Sequence, residues 1–268
     1  MEEKSVVMKF GGAALAEPSS IVRVATCIKV KRASHEQVVV VVSAMGDMTD
    51  RLLSLARTVS PQDHVREQDM LLSVGERISM ALLAMALRDL KVEAVSLTGS
   101  QSGIITSRNH VNAGIKRINP TRIVEALSLG KTAIVAGFQG VSEEREITTL
   151  GRGGSDTTAV ALGVALRAER VEFYKDVPGF FPYDPKKEPT PRKRKTPSPQ
   201  LSFQEAITLA EQGCSPLHIR ALRLAAKNRI PLHVLSFREE ERRLHAGTHI
   251  TSGTHTPHTG VEPTYETL

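Results

Sequence analysis

Three short stretches carry side chains suited to handling anions. The first is Gly151-Arg152-Gly153-Gly154-Ser155-Asp156, which runs into the apolar segment Thr157-Thr158-Ala159-Val160-Ala161-Leu162. Three glycines in four positions relieve Cβ crowding, so successive N–H groups can face one concavity where a helix begins. A helix N-terminus offers unsatisfied N–H groups and a positive dipole end, and Arg152 adds a planar fork for a carboxylate or phosphate. The second stretch is Lys9-Phe10-Gly11-Gly12, which closes the apolar run Val6-Val7-Met8. A lysine there is costly to bury unless an anion meets it; the alternative is an edge lysine snorkelling to water. The third is Glu76, which follows Gly75 inside a long apolar helix expected over residues 69–90. A carboxylate in that setting needs a cation, either the ammonium of a ligand or a buried arginine.

The surrounding pattern explains how such groups could meet. Strands are expected at residues 6–10, 37–42, 93–97, 132–136, 171–174 and 232–235, and helices alternate with them. Five consecutive valines, 38–42, fit a strand covered on both faces, as in a parallel sheet. Most strands end in small-residue loops: Gly11-Gly12, Ser43-Ala44-Met45-Gly46, Gly137-Phe138-Gln139-Gly140. Ligands of open α/β sheets gather at that edge. Residues 98–108 are read as a polar loop followed by an irregular stretch. Ser202-Phe203-Gln204-Glu205 is a capping box opening a helix, and Ser215-Pro216 is expected to open the next.

Bulk composition excludes several classes. Aromatic residues are 4% of the chain and tryptophan is absent, which argues against base-stacking platforms. The net charge of +6 is inflated by Arg192-Lys193-Arg194-Lys195 in a proline-rich segment, read as a solvated loop and not as a nucleic-acid patch. Two cysteines, Cys27 and Cys214, lack disulfide or metal spacing, which suits a cytoplasmic location. No metal-ligand set is expected; His249, His255 and His258 fall in an aperiodic Thr, Gly, His and Pro tail. The longest apolar runs, 38–42 and 78–87, are too short for a bilayer, and no signal-peptide order precedes residue 6.

Lys9-Phe10-Gly11-Gly12, the valine strand with Ser43-Ala44-Met45-Gly46 and Thr49-Asp50, Gly75-Glu76-Arg77-Ile78-Ser79, Leu97-Thr98-Gly99-Ser100-Gln101-Ser102-Gly103, Val135-Ala136-Gly137-Phe138-Gln139-Gly140 and residues 148–156 occur together in one order. Over roughly residues 5–250 the chain resembles the catalytic domain of aspartate kinase, in the amino acid kinase superfamily. The resemblance implies an α/β fold, a three-layer α/β/α sandwich with a mostly parallel central sheet of the carbamate kinase-like kind. It further implies transfer of the ATP γ-phosphoryl group to the β-carboxylate of L-aspartate, with Mg²⁺, in the biosynthesis of lysine, threonine and methionine. By the same resemblance Lys9 and Asp156 are the catalytic pair. Ser43, Thr49, Glu76, Phe138, Arg152, Gly153, Gly154 and Ser155 line the aspartate pocket. Lys9, Phe10, Gly11, Gly12, Lys175, Asp176, Phe181 and Lys186 face the nucleotide.

Departures concentrate on the nucleotide side. Ala13 and Ala14 replace two hydroxyl residues, Lys175 stands where Thr or Ser is usual, Phe181 replaces a tyrosine and Lys186 an arginine. The lysine expected before the penultimate helix falls at Ser215. These changes leave two readings, a working kinase in which Lys175 supplies the missing charge, or a weakened homologue that binds aspartate or nucleotide as a regulatory or structural partner. Residues 1–248 are expected to form the catalytic domain and residues 249–268 a flexible tail, without the ACT modules that follow in the family. A second copy of the chain or a separate ACT-containing regulatory chain are the candidate protein partners.

Overall fold

The computed structural model describes residues 5–181, 196–252 and 263–266. The basic run at 192–195, Lys186, His255 and His258 lie outside them. Twelve strands are found among the described residues: β1 (Ser5–Phe10), β2 (Gln37–Val42), β3 (Ala94–Leu97), β4 (Ile104–Thr106), β5 (Ile115–Ile118), β6 (Thr132–Ala136), β7 (Gln139–Ser142), β8 (Ile147–Thr149), β9 (Arg170–Lys175), β10 (Gln200–Ser202), β11 (Leu232–Ser236) and β12 (Thr248–Thr251). The helices are α1 (Pro18–Arg32), α2 (Met48–Val59), α3 (Val65–Leu72), α4 (Val74–Asp89), α5 (Thr121–Ser128), α6 (Gly154–Ala165), α7 (Phe203–Glu211), α8 (Ile219–Asn228) and α9 (Glu239–Leu244).

Eight strands form one sheet in the order β10-β12-β11-β9-β1-β2-β6-β3. All neighbours in it run parallel except β11 and β12. β1 lies between β2 and β9, with Lys9 beside Val41 on one side and Phe173 on the other. Alternation of side chains then feeds two cores. Val7, Val39, Val41 and Phe173 pack with α5, α6 and α8 on one face. Val6, Met8, Phe10, Val38, Val40 and Val42 pack with α1 and α4 on the other. The expected three-layer sandwich is therefore present, and the valine strand is covered on both faces as its composition requires.

Four differences from the sequence reading matter. The loop and irregular region after β3 contributes to a second sheet, ordered β5-β4-β7-β8, which β7 and β8 extend as an antiparallel hairpin pair. The long helix is two, α3 and α4, divided at Ser73. By length and composition alone residues 65–89 could cross a membrane, although their apolar run appeared too short; here Asp69 and Glu76 from that stretch are buried in the protein interior. Helix α8 begins after His218 and not at Ser215, whose hydroxyl closes a turn by accepting from the Leu217 N–H (3.0 Å) and donating to the Leu217 carbonyl (2.7 Å). The capping box at Ser202 and Glu205 forms in both directions, as expected.

The boundary drawn at residue 248 falls within β12. Beyond it, residues 263–266 are strapped to the fold. Thr264 exchanges hydrogen bonds with the Asn228 amide (2.8 and 2.9 Å), Glu266 pairs through its backbone with Ile115, and its carboxylate engages Arg220. Arg220 in turn donates to the carbonyls of Leu150 and Ala113.

Candidate active site

The parallel sheet sends the carboxyl ends of β1, β2, β6 and β9 to one edge. Backbone bonds lock the loops that leave them: Ser43 N–H to Phe10 (3.1 Å), Gly46 N–H to Gly12 (3.1 Å) and Gly137 N–H to Val42 (3.0 Å). Gly12 is required by this closeness, because a Cβ there would lie 2.9 Å from the Ala44 carbonyl oxygen. The next residues, Gly12–Leu15, form a 3₁₀ turn. It turns Ala14 into the core and leaves Ala13 exposed.

Lys9 and Lys175 project from β1 and β9 on the side of the sheet that α6 covers, and both reach Asp156 in the first turn of that helix. The Lys9 ammonium lies 2.7 Å from Asp156 Oδ1. Lys175 Nζ lies 3.1 Å from Oδ1 and 2.9 Å from Oδ2, and a weaker contact of 3.4 Å comes from the His218 N–H. Burial alone would raise the Asp156 carboxyl, but Lys175 and Lys9 together hold it well below the usual carboxylate range. Burial lowers the Lys9 ammonium to about 8 despite Asp156, with Lys175 adding repulsion. Two ammoniums against one carboxylate leave a net positive charge in a nearly dry site, a donor set that fits phosphate oxygens.

Glu76 is the opposite case. It is 3% exposed; Oε1 accepts from the Ala44 N–H (3.0 Å), and Oε2 is buried without a hydrogen-bond partner among the described residues. Burial pushes its carboxyl up to about 7, and the Ala44 bond and the field of Lys9 only partly offset this. The buried-arginine option is not realised. A ligand ammonium remains the cation that would satisfy it.

The glycine-rich loop takes the expected form. Gly153 has φ 73°, and a Cβ there would collide with the His218 ring at 2.1 Å. Gly154 N–H bonds back to Gly151 and Thr157 N–H to Gly153, so the Ser155 and Asp156 N–H groups open the helix without intrahelical acceptors. Arg152 is exposed beside them with no carboxylate partner among the described residues. Phe138 adopts φ 69°, a left-handed conformation costly for an aromatic residue, held by its N–H bond to Thr158 Oγ1 (3.1 Å) and by Leu150 N–H on its carbonyl (2.8 Å). Ser43 and Thr49 sit half-buried on the loop after β2 and the first turn of α2.

Three other expected site residues have different surroundings. The Phe10 side chain points into the opposite core and stacks on Tyr174 at 4.5 Å, so it does not face the site: alternation puts it across the sheet from Lys9. Asp176 is exposed and Phe181 half-buried beyond β9. Two groups had not been anticipated. Asp69, fully buried, accepts from Thr149 Oγ1 (2.5 Å) and the Val111 N–H and meets His110 Nδ1 (2.6 Å), tying α3 to β8 just before the glycine loop. His218 caps α8 and packs on Gly153. Among the described residues no three His, Cys, Asp or Glu side chains cluster to hold a metal ion.

Comparison with known proteins agrees with this architecture. Residues 4–236 match the model of the amino acid kinase family. The aspartokinase of Geobacillus stearothermophilus is 49% identical over 237 residues, 88% of this chain and 57% of that protein. The aspartokinase of Corynebacterium glutamicum is 50% identical over 232 residues, 86% and 54% respectively. The chain thus spans about half the length of the curated relatives it matches. The aspartate kinase structure from Synechocystis superposes with a TM-score of 0.81 at 38% identity, covering 98% of this chain and 42% of that one. Aspartokinase III of E. coli, in complex with aspartate and ADP, gives 0.76 at 25% identity, covering 94% and 65%. With its family model spanning most of the sequence and its anion-handling loops on the carboxyl edge of a parallel sheet, the chain belongs to the amino acid kinase family.

Proposed function

We propose that this chain catalyses transfer of the ATP γ-phosphoryl group to the β-carboxylate of L-aspartate, giving 4-phospho-L-aspartate and ADP. The observation that carries the reading is the buried, half-satisfied carboxylate of Glu76 beside Lys9: it asks for an α-ammonium, and Arg152 with the glycine loop asks for the α-carboxylate. An α-amino acid held at both groups leaves its side-chain carboxylate free to point at Lys9. The high identity to aspartokinases supports aspartate as that amino acid.

The acceptor carboxylate, with an ordinary pKa of about 3.9, is ionised at neutral pH and needs no general base. One of its oxygens forms the new bond to the γ-phosphorus as the bond to the β,γ-bridging oxygen breaks, and the electron pair leaves on ADP. The protein's task is to bring anions together and to stabilise charge in flight. Lys9 does this at the transferred group, Asp156 fixes the direction of the ammonium, and the open N–H groups of α6 add fixed dipoles. Mg²⁺ would arrive with the triphosphate.

The test is ADP release by the purified protein with MgATP, with and without L-aspartate, trapping acyl phosphate with hydroxylamine. Aspartate-dependent release with hydroxamate formation is expected. Release that does not depend on aspartate, or aspartate binding without turnover, overturns the assignment.

A further inference from the structure

The charges of the site form a row, and the row has a direction. Glu76 is held by the N–H of Ala44, which follows β2, Lys9 lies on β1 and Lys175 ends β9, and β1 runs between β2 and β9; Asp156 is shared by the two lysines. The sequence of groups is therefore Glu76, Lys9, Asp156, Lys175, with the amino-acid end at Glu76. Lys175 stands at the other end, on the last residue of β9, and its side chain is 15% exposed against 5% for Lys9. Its ammonium lies 5.9 Å from the Phe173 ring centroid and bonds both oxygens of Asp156, with no other hydrogen-bond acceptor among the described residues. No second carboxylate among the described residues pairs with it. At position 215, where the resemblance places a phosphate-binding lysine, the serine hydroxyl is consumed by its own turn.

Resting on the aspartate kinase reading, we infer that Lys175 is the cation that receives the phosphates of the leaving nucleotide, opposite Lys9 across Asp156. It does from β9 what the lysine absent at Ser215 would do from the loop before α8. Asp156 acquires a second task in this arrangement: it keeps two like charges side by side in the resting site, so that neither must be desolvated when the nucleotide arrives. Neither ammonium exchanges a proton in this account. Lys175 gives up part of its bond to Asp156 for a phosphate oxygen.

The experiment compares the parent protein with Lys175→Thr, Lys175→Met and Lys175→Thr/Ser215→Lys. Both single substitutions leave Asp156 paired with Lys9 and remove a repulsion from it, so folding is expected to survive. ADP binding by calorimetry, which needs no acceptor, should weaken about 10- to 100-fold in both. The kcat/KM for MgATP should fall about 100- to 1,000-fold, while the KM for aspartate moves less than about threefold. Adding Ser215→Lys should recover at least about tenfold in kcat/KM for MgATP. ADP affinity within about fivefold of the parent in both single variants overturns the inference, and failure of the double variant to recover overturns the equivalence with position 215. If the parent binds ADP but forms no hydroxamate with aspartate, the substrate reading fails while the ADP titrations still decide Lys175. A parent that binds no ADP overturns both.

Discussion

Two buried carboxylates lie within one field and behave oppositely. Asp156 is surrounded by cations and ionised throughout the physiological range; Glu76 has one backbone N–H and an open oxygen, and burial holds its carboxyl near 7. The first is complete within the chain, the second is not. A buried group whose partner is supplied by the same chain is part of the scaffold, whereas one whose partner is missing marks where a ligand must contribute the opposite charge.

Breaking the complete member should have the largest effect. Asp156→Asn leaves Lys9 and Lys175 facing each other in a dry site without a counter-charge, a loss of about 3–5 kcal/mol for a broken buried pair. Activity should drop at least about 1,000-fold, and urea unfolding would record the stability loss. Gly153→Ala tests the glycine-rich loop that opens the helix of Asp156. A Cβ would meet His218 in a backbone region disfavoured for alanine, so both Tm and aspartate affinity should fall, by more than the ~1 kcal/mol typical of a misplaced Gly→Ala change.

Glu76→Gln sharpens the comparison by separating function from stability. Aspartate KM should rise about 100-fold as the ammonium loses its partner. Stability should move the other way. The folded-state pKa is raised, so ionising Glu76 costs stability progressively as pH rises from the ordinary carboxyl value of 4.5 to about 7. That penalty, on the order of 3 kcal/mol above pH 7, is absent from the amide variant. Urea melts should show Glu76→Gln gaining on the parent between pH 5 and 8, and equal or lower stability at pH 8 would refute this account. The same pKa predicts that kcat/KM for aspartate in the parent falls about tenfold per unit below pH 7, and Lys9 predicts a decline in kcat/KM for MgATP above about 8. The smallest effect is a control far from the site: Ser202→Ala removes the α7 capping box and should cost about 1 kcal/mol without changing either KM.

In the central sheet β10 and β12, Gln-Leu-Ser and Thr-His-Ile-Thr, were missed as short polar segments, but its other six strands were legible as mostly apolar runs, with the valines at 38–42 as the plainest case. The second sheet was not. β8 is Ile-Thr-Thr and β5 has Lys-Arg at its centre, three- and four-residue strands whose polar alternation resembles a loop. Glu76 was found because a carboxylate interrupts an apolar helix, and the same logic applied one helix earlier would have found Asp69. Its partners, His110 and Thr149, lie 41 and 80 residues away, and no local pattern points to them. The start of α8 misled because Ser-Pro is a common helix opening, whereas Ser215 spends its hydroxyl on its own turn. Phe10 was placed on the nucleotide side by resemblance, as part of the Lys-Phe-Gly-Gly motif, and a strand sends adjacent side chains to opposite faces, so its ring lies across the sheet from Lys9.

The strap at residues 263–266 gives the fold a mechanical property. Glu266 grips Arg220, and the same guanidinium grips the carbonyl of Leu150, the residue that opens the glycine-rich turn. A rigid planar fork transmits displacement with little slack. Tension applied at residue 266 is thus delivered, through one side chain, to the backbone that presents Arg152 and the N–H groups of α6, like a cord fixed to the hinge of a clasp.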